Sequence, residues 1–125
     1  MNLSLYEQIG AETIAQVIIE FYQRAFADPL IGHFFHRVNR AHIVSQQIVF
    51  SSCMLGAKEQ SYQGKSLREA HHRLPLNEVH FRRRQKLLQE VLGESTIAPS
   101  LATQWLSLEE KLKGLIINTS TPCNQ

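Results

Sequence analysis

Little in this sequence points outward. Cysteine is scarce: Cys53 and Cys123 are the only two, and neither belongs to a CxxC pair or to the spaced framework that staples secreted domains. A reduced cytoplasm suits them. No apolar run approaches the ~18 residues needed to span a bilayer, and the opening Met1-Asn2-Leu3-Ser4-Leu5-Tyr6-Glu7 lacks the basic start and apolar stretch of a signal peptide. Charge of one sign is also scarce, since thirteen basic against eleven acidic residues leave a formal +2, too small to force a nucleic-acid or membrane partner. The expectation is a cytoplasmic protein that binds neither. Missing as well are strand-like alternation between turn signals, internal repeats, low-complexity segments, and any flavin or nicotinamide motif.

What is present is a pattern of helices. With 125 residues and 43% hydrophobic content, one domain over 1–125 around one core is expected. From Glu12 to Ala27 the residues Ile14, Val17, Ile18, Phe21, Tyr22, Ala25 and Phe26 recur at helical spacing, and Asp28-Pro29 ends the run by excluding the α conformation. A short turn then leads to Phe34-Phe35. Ile43, Gln47, Phe50 and Met54 share one face of a second helix, with Gly56 as its terminator and a glutamine on its apolar stripe. Ser66-Leu67-Arg68-Glu69 forms a capping box, predicting a short helix that carries Ala70, His71 and His72 and stops at Pro75. Asn77 can cap the next helix, predicted to run with Phe81, Leu88 and Leu92 inward and to stop at Gly93. A last helix begins near Pro99 and lines up Leu101, Trp105, Leu108, Leu112 and Leu115; residues 118–125 read as a loose tail. The class is all-α.

Six histidines, at 33, 36, 42, 71, 72 and 80, fall into no HExxH or CxxC…HxxxH spacing, which argues against a structural zinc site. His33, His36 and His42 follow Gly32 and read singly as surface or capping residues. His71 differs, because Leu67 and Leu74 mark an apolar face on its short helix. A neutral imidazole presented into an apolar pocket is a good axial ligand for haem iron, although a satisfied core histidine fits the same pattern. The basic run Arg82-Arg83-Arg84 with Lys86 reads as a solvated helix face.

The ordered set decides between these readings. Leu5-Tyr6-Glu7-Gln8-Ile9-Gly10, Phe21-Tyr22, Ala27-Asp28-Pro29-Leu30, Phe34-Phe35, Gln47, Phe50, Tyr62-Gln63-Gly64 and Leu67-Arg68-Glu69-Ala70-His71 resemble, in order and spacing, a truncated haemoglobin of the first group. The resemblance runs from Leu5 to about Ile117. It implies a two-over-two helical sandwich around b-type haem, with His71 as proximal iron ligand. Phe35 would wedge against the porphyrin, with Phe50, Leu67 and Phe81 as further apolar contacts and Arg68 on a propionate. Tyr22, Ile43 and Gln47 match the distal positions. The implied function is reversible binding of dioxygen, nitric oxide or carbon monoxide. Two readings stand beside it: nitric oxide dioxygenation with an external reductase, and a sensor or interaction module that keeps the fold without functional haem.

Three positions depart from the pattern. Gly10-Ala11 and Gly56-Ala57 stand where the family usually has paired glycines, and Arg84 stands where it generally offers a small or aliphatic residue to the haem cavity. A guanidinium stranded there costs too much for a small domain. The favoured placement turns Gln85 and Leu88 inward and sends Arg84 to the solvated side with Arg82, Arg83 and Lys86; the other extends it along the cavity edge to an acidic partner. His42, beside Ile43, is a second candidate for the sixth coordination position, with a propionate contact or solvent exposure as its alternatives.

Overall fold

A computed structural model describes residues 3–57 and 77–113. All of the regular structure among the described residues is helical: α1 (Leu5–Ile9), α2 (Ala11–Ala27), a 3-10 turn (Gly32–Phe35), α3 (Arg40–Met54), α4 (Glu78–Glu94) and α5 (Pro99–Lys111). Helix α2 packs on both α3 and α4, and α4 packs on α5, so the pair α2/α3 lies over the pair α4/α5. The predicted helix from Ser66 to His72 lies outside the described residues.

Helix α2 follows its apolar pattern closely. Ile14, Val17, Ile18, Phe21, Tyr22 and Ala25 are all buried, and they meet Leu87, Leu88, Val91, Leu92 and Trp105 in one core. Burial of a large apolar side chain contributes about 1.5–3 kcal/mol, so this cluster dominates the fold's stability. Asp28 closes α2 as predicted, and its carboxylate adds more than a stop. Oδ2 accepts from the amides of Leu30 at 2.9 Å and Ile31 at 3.1 Å, fixing the turn that carries Phe34 and Phe35.

Helix starts agree with the expected capping chemistry. Asn77 Oδ1 accepts from the His80 amide, while His80 Nδ1 accepts from the Asn77 amide, each at 3.1 Å. This is a capping box with histidine in the usual glutamate position. Pro99 occupies the first turn of α5. Helix α3 begins earlier than its stripe suggests, at Arg40, because Asn39 caps it through the His42 amide.

The predicted stop of α4 at Gly93 is corrected. The helix continues through Gly93 to Glu94, and the Ser95 hydroxyl donates to the Leu92 carbonyl at 2.7 Å, closing the last turn. Positive φ is confined to Gly10 (98°) and Gly56 (111°) among the described residues. The single glycine kept at each of those two turns thus carries the left-handed conformation, and the neighbouring alanine needs none.

Candidate functional site

The upper half of the site is an aromatic corner. Tyr22 on α2 is buried; its ring lies edge-on to Phe21 at 4.9 Å and to Phe35 of the 3-10 turn at 5.9 Å. Phe26 completes the corner, 5.7 Å from Tyr22 and 5.2 Å from Phe35. Edge-to-face rings add about 0.5–1.5 kcal/mol per pair beyond burial, so the turn holds Phe35 firmly against Tyr22. Phe26 was read only as a core residue; its place one helical turn after Tyr22 is the signal for its role here.

Helix α3 supplies the second wall, and its burial is inverted. Its buried residues are Ser51 and Ser52, whereas Ile43, Val44, Gln47, Ile48, Val49 and Phe50 are only half-buried. A helix packed wholly by protein buries its apolar face and exposes its serines. No hydrogen bond joins the Gln47 amide to another described residue. Of the residues expected at the haem, Tyr22 and Phe35 are brought together, Ile43 is half-buried against the core, and Gln47 and Phe50 are half-buried on the same helix; apolar side chains with a few polar ones among them are the chemistry a flat apolar group such as haem requires. His42 is exposed. Phe81 is buried at the start of α4, with the Lys113 ammonium 6.0 Å over its ring; no ring contact links it to the Tyr22–Phe26–Phe35 trio. Leu67, Arg68 and His71 lie outside the described residues.

The basic run requires a second correction. Its three arginines go to different carboxylates, and their side chains are 60%, 38% and 20% exposed from Arg82 to Arg84. Only Arg82 behaves as a solvated residue, bonding Glu78 one turn away. Arg83 reaches the buried Asp28 at 2.7 Å. Burial pushes the Asp28 carboxyl up, but the guanidinium and the two turn amides outweigh it, so its pKa ends below the ordinary value.

Arg84 turns inward. Gln85 and Leu88 are buried, as the favoured placement required, yet Arg84 does not join the surface. Its Nη2 lies 2.7 Å from Oε1 of the buried Glu109 on α5, while Glu109 Oε2 accepts from the Trp105 indole at 3.1 Å. The contact at Oε1 is close but not aligned as a hydrogen bond, so the attraction is Coulombic; the aligned bond from Arg84, 2.8 Å long, goes from Nη1 to Gln85 Oε1. The guanidinium also sits 5.5 Å over the Phe21 ring. Desolvation works against this cation, but Glu109, with smaller help from Tyr22, leaves its pKa above the usual value. Glu109 was missed in the sequence. Its signal was the four-residue step from Trp105, which puts a carboxylate on the buried face of α5.

Helices stacked two over two are the architecture of a truncated globin. The chain belongs to the bacterial-like globin family, which it matches over residues 4–118, and haem binding follows from that membership. Among its relatives, a group 1 truncated hemoglobin of Tetrahymena pyriformis is 33% identical over 79 residues, 62% of this chain and 64% of that protein. Another, from Synechocystis, is 35% identical over 83 residues, covering 62% of this chain and 66% of its own length. The matches thus span just under two thirds of these relatives. In three dimensions the truncated hemoglobin of Tetrahymena pyriformis superposes with TM-score 0.86 over 94% of this chain and all (100%) of its own, at 24% identity. The 2/2 hemoglobin of Synechococcus gives the same TM-score of 0.86 and the same coverage, 94% and 100%, at 25% identity.

Proposed function

We propose that the chain holds haem b through His71 and reversibly binds a diatomic gas, dioxygen foremost. The observation that supports this best is the inverted burial of α3, where Ile43, Phe50 and Gln47 stand half-open while serines are buried. When bound, haem supplies a ferrous iron able to coordinate such a gas.

The chain's own residues supply position and polarity. Phe35, braced by Tyr22 and Phe26, fixes one apolar wall, and Ile43 and Phe50 provide another; Leu67, Phe81 and Arg68 are assigned as further contacts. The Tyr22 hydroxyl and Gln47 amide can donate hydrogen bonds to a polar diatomic ligand, favouring dioxygen over the less polar carbon monoxide. Nitric oxide dioxygenation uses the same two residues and requires an external reductase.

His71→Gly should lose the Soret band of the purified protein and regain it when imidazole is supplied. A larger loss in His72→Gly would shift the register of the proximal helix by one, and retention of haem by both variants would sink the assignment.

A further inference from the structure

Six arginines lie among the described residues, and four of them, Arg24, Arg82, Arg83 and Arg84, are paired with carboxylates. The other two, Arg37 and Arg40, have no carboxylate within ion-pair reach among the described residues, and both are exposed. They share one short segment with the exposed His33, His36 and His42, and residues 29–57 contain no aspartate or glutamate at all. At the centre of this cationic stretch sits Val38, 38% exposed. A small apolar centre inside a charged rim is the anatomy of a brief protein–protein contact.

The stretch also adjoins the site. The Arg40 guanidinium lies 4.8 Å over the Phe26 ring, and Phe26 is 5.2 Å from Phe35, the residue assigned to the porphyrin. Surface charge and haem wall are therefore two ring contacts apart.

We propose that the segment from His33 to His42 is the docking surface for an acidic one-electron carrier protein. This rests on the haem reading above. The carrier, holding a reduced iron–sulfur cluster, would give up one electron, and haem held by this chain in its ferric form would accept it; no bond would form or break, and the carrier would be left oxidised by one electron. Electron-transfer contacts are small and short-lived, and charge speeds their encounter without making them tight. Ten residues with two guanidiniums that no carboxylate answers among the described residues suit that task. They do not suit nucleic acid, whose recognition needs a broader basic field than a formal +2 provides.

The probe is a plant-type ferredoxin, an acidic [2Fe–2S] protein. Its binding to the haem-loaded chain is followed by calorimetry across a salt series, and its reduction of the haem by stopped flow. Binding should weaken as salt rises. Arg37→Glu/Arg40→Glu should lower both affinity and reduction rate by about tenfold or more, whereas Lys86→Glu/Lys111→Glu, the same charge change on α4 and α5, should alter them by less than about twofold. Dithionite should reduce every form alike. Equal losses in the two double variants, or none in either, would overturn the surface. Absence of a Soret band would instead defeat the haem reading, while calorimetry still reports on docking.

Discussion

The two faces of α2 meet different partners. Toward α4 and α5 it packs Ile14, Val17 and Phe21 into a core whose charges are all answered: Arg83 by Asp28, and Arg84 by Glu109. Toward the 3-10 turn it presents Tyr22 and Phe26 to Phe35, and Arg40 of α3, from a segment without carboxylates, lies over the Phe26 ring. The first region is completed by protein alone. The second holds the residues proposed to meet the ligand, so substitutions there are read in ligand release and those on the first in stability.

The largest effect is expected on the closed side. Glu109→Ala strands a cation and an indole N–H together, and should cost about 3–5 kcal/mol in urea unfolding. Arg84→Met/Glu109→Leu should recover most of that loss, because a buried ion pair is replaceable by apolar packing. If the single variant unfolds with the parent, the pair is not holding α4 to α5.

Asp28→Asn should come next, at about 2 kcal/mol near neutral pH, the scale of hydrogen bonds to a charged group. The sign follows from the lowered folded pKa: stability is fully present above the unfolded value near 3.9 and drains away as pH falls through the folded one. The variant should therefore show a flatter acid limb in a stability–pH profile, and an unchanged limb would count against it.

At the proposed ligand site, Tyr22→Phe and Gln47→Leu should each accelerate dioxygen release. Together they should accelerate it by less than the product of the single effects, with a coupling of about 0.5–3 kcal/mol. Independent effects would mean that the two groups do not act on one ligand. Smallest of all, Gly93→Ala should stabilise by roughly 0.5 kcal/mol in thermal unfolding, since a Cβ there meets nothing within 4 Å and the backbone is helical.

Periodicity and capping rules reached α2, the Asn77 cap, the Pro99 start and the existence of α3, because these depend on neighbours within a few residues. Gly93 misled because a glycine near a helix end resembles a terminator, while the closing bond comes from a serine two residues on. The fates of Arg83 and Arg84 were not legible for a different reason. Their partners lie 55 residues earlier and on another helix, and local pattern contains neither distance. At the site, Tyr22 and Phe35 do come together, whereas Phe26 and Glu109 have a local signal in their four-residue steps from Tyr22 and Trp105, and only the stacking of elements supplies their partners.

The turn at Gly56 ties α1 to the end of α3. A side chain there would be strained at φ 111° and would drive its Cβ to 2.7 Å from that of Ser4; alongside, the Tyr6 amide bonds the Leu55 carbonyl at 2.8 Å. Helix α1 is thereby a latch on the far end of α3. Its start is closed by a capping box, in which Ser4 and Glu7 exchange bonds of 2.9 and 3.1 Å at the surface, and such short helices near a chain end are the first to fray. Loss of that cap would loosen the Tyr6–Leu55 bond, so the end of α3 depends in part on a serine some fifty places upstream in sequence.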